Sequence, residues 1–300
     1  MNFKTIENKA LLVSSSINFI NALAGVVVYI ITGLNALLLD SVFSIIGFIA
    51  SVAAIYISKN SHKKTEHFPN GMYFLEPLFG VLKSIATLML LLVAFLESSA
   101  VAFAYFAHGE GDIIVTGPAL PYTLITGTIC FMLAIYNSKT NQKIQKMSTI
   151  LEAESKANLV DGLISIGIGI SILILSVISI DGQLGFLHYT ADFFITLILV
   201  LLSVKEPLHV LVQSFKEFAN STIQNDHIKH HVDAIFNEMI GHRLDDLDIF
   251  VHKQGMHISV KVFINTIENT SLIDELASEK ANLITRLRKD FQQISLEFTF

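Results

Sequence analysis

The 300-residue chain is 52% hydrophobic and only 15% charged, with a net charge of −6. That balance lies outside the norms of soluble domains, and an acidic chain gives no support to a nucleic-acid partner. The single cysteine, Cys130, excludes an intrachain disulfide framework and a thiolate metal cluster.

Met1–Lys9 is polar, and the apolar segment after it is long enough to cross a bilayer, so no cleavable signal peptide is expected. Hydropathy predicts six spans near residues 10–32, 35–58, 74–106, 117–138, 150–180 and 185–204, each with the ~20 apolar residues a crossing needs. Lys4 and Lys9 precede the first span; Lys59, Lys63 and Lys64 follow the second; Lys139, Lys143 and Lys146 follow the fourth. The loops around 33–34, 107–116 and 181–184 carry no Lys or Arg. The positive-inside bias therefore puts both termini in the cytoplasm of a multi-pass protein, in the plasma (inner) membrane if the chain is bacterial.

Two carboxylates interrupt the apolar runs: Asp40 in Ala36-Leu-Leu-Leu-Asp40-Ser41, and Asp161 in Asn158-Leu-Val-Asp161-Gly162. A charge at the bilayer centre costs at least ~2.5–3.5 kcal/mol on insertion scales, so such acids face a bundle interior and mark an ion path. Ser14–Ser16, Asn18 and Asn21 form a polar face on the first span whose ordinary role is helix packing. Lys83 is expected first to snorkel to the cytoplasmic interface and second to partner a buried acid. Glu154 is expected near the cytoplasmic surface, solvated, and Glu97 near the outer one. By residue count Asp40 sits near the outer end of its span and Asp161 nearer the inner end of its own, a mismatch in depth.

After Pro207 the chain turns water-soluble in character. Asp226–Ile240 reads as a helix. Asp248–Lys253 and Met256–Ile264 alternate like strands around a turn at Gln254-Gly255. Ser271–Asp290 is an amphipathic helix, and Ile294–Phe300 is a last strand. The order αββαβ predicts a small two-layer α+β domain of ferredoxin-like type. Domains are therefore expected at 1–206 and 207–300. His227 and His231 have the i, i+4 spacing that can chelate on a helix, and a turn at Gln254-Gly255 would set His252 directly opposite His257. Each His pair reads first as solvated surface and second as a cytoplasmic metal site.

Six spans followed by such a tail, with Phe68-Pro69-Asn70-Gly71-Met72-Tyr73-Phe74-Leu75-Glu76 after the second span, resemble the cation diffusion facilitator family of divalent-metal/proton antiporters. Ala36–Ser41 resembles that family's second-span motif, Asp161 falls where its fifth-span Asp belongs, and Asp192 fits the opening of the sixth span. The resemblance implies homodimeric export of a divalent cation in exchange for protons, with paired ligands four residues apart on the second and fifth spans. Here those positions hold Asp40 with Ser44 and Ala157 with Asp161, so the second-span acid and the fifth-span partner are replaced. Asn158 lies on nearly the same face as Asp161. The resulting set of Asp40, Ser44, Asn158 and Asp161 is all oxygen, which suits harder ions such as manganese or magnesium better than zinc, within a cargo class of manganese, zinc, iron or similar cations. The replaced ligands also admit a degenerate transporter acting as a membrane-bound metal sensor. The sequence contains neither a phosphate-binding loop nor a zincin-type His-Glu-x-x-His, so neither ATP-driven pumping nor an intramembrane enzyme is expected.

Overall fold

A computed structural model describes residues 3–32, 35–69, 71–109, 119–179, 182–223, 226–241, 247–265 and 270–299; for 32, 35–40, 42, 43, 192, 226, 227, 270–273 and 275 it describes the backbone alone. Seven helices come first: α1 (Phe3–Thr32), α2 (Asn35–Asn60), α3 (Leu75–His108), α4 (Ala119–Lys143), α5 (Thr149–Val177), α6 (Leu187–Ser203) and α7 (Lys205–Phe218). The remainder is α8 (Asp226–Ile240), β1 (Leu247–Gln254), β2 (His257–Ile264), α9 (Thr270–Leu287) and β3 (Gln293–Thr299). Among the described residues, five stretches are long and apolar enough to cross a membrane: Phe3–Ile31, α3, α4, α5 and the run Leu187–Phe218. The described apolar part of α2 is the shorter Ser44–Asn60.

The bundle is inverted relative to a water-soluble protein. Ile30, Phe103 and Val177 are 74%, 67% and 86% exposed, whereas Asn18, Asn21, Ser51, Asn137 and Asn158 are buried. Apolar side chains face outward and polar ones face the neighbouring helices, the arrangement a hydrocarbon solvent favours. Small residues bring the helices together. A Cβ on Gly162 would lie 3.2 Å from the Gly127 carbonyl, so α4 and α5 approach backbone to backbone there.

The helix ends converge at one pole of the bundle. Ser148 caps α5, accepting the Leu151 N–H at 3.0 Å, and donates to Glu7 Oε1 at 2.5 Å. Ser58, near the end of α2, also donates to Glu7. Lys4 Nζ bridges Glu7 Oε2 at 2.8 Å and Glu76 Oε1 at 2.7 Å, and Ser61 donates to the same Glu76 oxygen at 2.6 Å. Two buried acids share one ammonium and three hydroxyls, which offsets part of the desolvation that burial costs.

The tail sits on this pole. Its sheet has the order β1-β2-β3, with β1 and β2 antiparallel and β2 and β3 parallel. Ile258, Val260 and Val262 alternate inward from β2 and pack with Val232 and Phe236 of α8 and Leu283 and Leu287 of α9. Pro207 falls within the first turn of α7, where its missing N–H is tolerated. That helix packs along α3 and α5 and reaches β1. There Lys253 Nζ contacts Glu217 Oε1 at 2.7 Å and Thr149 Oγ1 at 3.1 Å, all three side chains being buried.

One expectation is corrected by the hairpin register. The turn is Gly255-Met256, with Gln254 opposite His257 and His252 opposite Ser259, so the two histidines are diagonal rather than opposed. Gly255 has φ of +58°, and a positive φ at the first central residue alone is what a II′-type turn asks for. Glycine takes that first position, which moves the turn by one residue and each cross-strand partner by two from a turn at Gln254-Gly255.

Candidate cation site

On α5 the residues Glu154, Asn158, Asp161 and Ser165 recur at helical spacing and share one face. Glu154, Asn158 and Ser165 are buried, and Asp161 is half-buried. A cavity of about 30 Å³ is lined by Asp161 and Ser165 of α5, Ser44 of α2, Asn18 and Asn21 of α1 and Thr126 of α4. A volume this small suits an ion stripped of most of its water. The amide groups are oriented by their neighbours: Asn18 Nδ2 donates to Ser51 Oγ at 3.1 Å, and Asn21 Nδ2 to Cys130 Sγ at 3.7 Å. Each amide N–H₂ is thereby directed at a neighbour, leaving a carbonyl oxygen as the donor these residues can offer a cation.

Asp161 also borders a second cavity, of about 200 Å³, which it shares with Ala157, Lys83, Thr87, Phe79 and Gly47. Gly47 and Asp161 belong to both cavities, so the carboxylate stands between them.

Two expectations are overturned here. Lys83 does not snorkel outward; its side chain is 10% exposed and its Nζ lies 3.3 Å from Glu154 Oε1. Glu154 is fully buried rather than solvated, and its Oε2 accepts from Ser51 Oγ at 3.1 Å. The first turns of α5 pack against α1, α2 and α3, so the acid is buried from bulk water and takes the nearest cation instead. The serine and asparagine face of α1 packs helices as expected, Ser14 bonding to Asn137 and Asn18 to Ser51, and Asn18 and Asn21 also line the cavity at Asp161. The polar character of that face was visible in the sequence; its direction was not.

Of the predicted transport-site residues, Ser44 and Asp161 meet at one cavity. Asn158 lies one turn away, buried, and its Nδ2 has no hydrogen-bond partner among the described residues. The Asp40 and Asp192 side chains lie outside the described residues; the backbone of Asp40 is in α2, one turn before Ser44.

In the tail the predicted histidines are engaged separately. His231 Nε2 lies 2.9 Å from Asp290 Oδ2, a hydrogen bond that holds the Asp290 carboxyl below its ordinary range. His252 Nδ1 lies 2.8 Å from the Asn220 carbonyl. The His257 ring stacks on Tyr73 at 4.5 Å, and burial pulls its pKa down to about 4. The His227 side chain lies outside the described residues. Among the described residues no three His, Cys, Asp or Glu side chains gather in one place. The described donors around Asp161 are therefore hydroxyls and amides, with the Cys130 thiol beside them.

The cation efflux transmembrane domain family matches residues 11–219 of the chain. No curated protein matches it. The matched segment takes in α2 to α7 and α1 from residue 11 onward, and so includes every residue lining the two cavities.

Proposed function

This chain belongs to the cation efflux family, and on that premise we propose that it exports a divalent cation past Asp161 in exchange for protons. Members of the family are transporters and not enzymes, and the apolar helices make this chain an integral membrane protein for metal cation efflux. The observation that carries the finer reading is the cavity at Asp161, where oxygens of Ser44, Asn18, Asn21 and Thr126 outnumber the one sulfur, that of Cys130. Hydroxyl, amide and carboxylate oxygens suit hard ions, so manganese is the favoured cargo, with iron or zinc handled less well. Asp161, together with Asp40, binds the cation when ionised and takes up a proton when the cation leaves. Both ions need the same oxygens, and that competition couples the two fluxes.

Six crossings fit the convergence of helix ends. Glu7 at the start of α1 is bonded from the end of α2 by Ser58 and from the start of α5 by Ser148, while Lys4 reaches Glu76 at the start of α3. Helices that begin and end at one pole in this alternation support a crossing by α2 as well. With Lys59, Lys63, Lys64, Lys139, Lys143 and Lys146 at that pole, both termini are cytoplasmic. The division near residue 206 then separates a transport unit from a cytoplasmic ferredoxin-like tail. The tail leaves the pair Phe250 and Phe263, ring centroids 5.5 Å apart, partly exposed on its hairpin, which supports pairing with a second copy.

A sensor role is the second reading. It is favoured by the Glu154–Lys83 pair, which keeps a fixed positive charge beside the path. Proton-coupled manganese uptake into inverted vesicles separates the two: flux supports the exporter, and metal binding without flux supports the sensor.

A further inference from the structure

Glu154 lies on the same face of α5 as Asp161, two turns nearer the pole where the tail docks, ~10 Å along the axis at ~1.5 Å per residue. Its surroundings resemble a small cation site more than a structural strut. Oε2 accepts from Ser51 Oγ, which in turn accepts from Asn18 Nδ2, a residue of the Asp161 cavity. Oε1 accepts no hydrogen bond among the described residues, and its close neighbour is the Lys83 ammonium at 3.3 Å. Lys83 itself lines the larger cavity together with Asp161. The unpartnered Asn158 Nδ2, buried between the two acids on α5, marks polar capacity the packing leaves unused. A cation moving between Asp161 and the tail pole meets this cluster next.

We propose that Glu154, with Ser51, is a second station for the divalent cation and that the Lys83 ammonium is a tethered cation occupying it at rest. A passing ion displaces Lys83 from Glu154, and the ammonium returns when the ion leaves, so the buried carboxylate is never without a positive partner. A lysine is suited to this because its charge is a compact point on a flexible stem. The station rests on the reading that the path runs past Asp161.

Equilibrium binding of Mn²⁺ and Mn²⁺ flux, measured on the full-length protein reconstituted in vesicles, test it. Lys83→Gln empties the station, and the variant is expected to bind one more Mn²⁺ per chain than the wild type. Adding Glu154→Gln should abolish that extra ion and lower flux at least tenfold. The double variant is uncharged and close in shape, so it folds even where breaking the pair singly is destabilising. Its flux alone therefore decides the matter if Lys83→Gln does not fold. Wild-type flux from the double variant, or no extra Mn²⁺ in a folded Lys83→Gln, makes the pair a helix-packing contact and overturns the proposal. Asp161→Asn keeps the two readings apart. Normal flux in that variant refutes the path past Asp161, whereas lost flux there with wild-type behaviour in the Lys83 and Glu154 variants refutes only the station.

Discussion

The backbone N–H of Met256 donates to Glu76 Oε2 at 3.1 Å, joining the turn of the tail hairpin to the first turn of α3. The same carboxylate receives Lys4 from α1 and Ser61 from the end of α2 through its other oxygen. One buried side chain thus ties three helices of the bundle to the tail. Because a buried acid stripped of its partners is costly, the tail cannot move away from this pole without exposing Glu76 or leaving it unsatisfied.

Gly255 is where that junction is tightest. A Cβ there would fall 2.3 Å from Glu76 Oε2, and the residue has φ of +58°. Gly255→Ala combines left-handed strain with overpacking and should destabilise the protein by about 2–4 kcal/mol. A lower melting temperature in detergent, with faster proteolysis of residues 247–264, is the expected result. An unchanged melt would mean that the turn is free to move off Glu76.

The docking of the tail should also weaken in acid. His257 stacks on Tyr73, and burial holds its pKa at about 4, against an ordinary value of 6.5. Between those values the unfolded chain binds the proton and the folded one does not, so stability falls as pH drops from 6.5 towards 4. The loss is at most about 3 kcal/mol. Melting at pH 7 and pH 4.5 should differ less in His257→Gln than in the wild type; equal pH dependence in both would place the acid sensitivity elsewhere.

Ser148 serves two partners at once, capping α5 and donating to Glu7. Ser148→Ala should cost about 1–2 kcal/mol, more than an exposed cap, since a buried acid also loses a donor. Ser148→Thr should recover much of it. Thermal stability of the two variants side by side checks the difference.

The ligand set predicts metal preference. Ala157 is buried and lines the larger cavity with Asp161. Ala157→His adds an imidazole one turn from Asp161, and nitrogen ligands favour zinc over manganese. Zinc flux relative to manganese flux should rise at least about tenfold. No change in the ratio would show that position 157 does not face the moving ion.

Much of the architecture was legible because it follows from short-range pattern. The periodicity of Asp226–Ile240 and the alternation in His257–Ile264 give α8 and β2, and the length of the apolar runs gives α1, α3, α4 and α5. What was not legible depends on which residue of another helix stands opposite. Lys83 and Glu154 are 71 positions apart, and either alone is well explained as an interfacial side chain; only the packing of α3 against α5 pairs them. Lys4, Glu7 and Glu76 were hidden for the same reason, lying in segments whose composition reads as polar flanks. The hairpin register failed on a single local choice, the position Gly255 takes in the turn. Asn18 and Asn21 belonged to a recognised polar face, but a helix face alone does not say whether it meets a neighbour or a cavity.

Manganese-driven proton movement in inverted vesicles carrying Asp161→Asn tests the central claim most directly. Asparagine keeps the shape of the side chain but can neither carry the charge nor exchange the proton. The variant should insert normally, lose at least about 100-fold of its manganese flux, and lose the accompanying proton flux in parallel. Manganese and proton fluxes at wild-type levels in Asp161→Asn would contradict the account, because the ion would then cross without the carboxylate on which it is built.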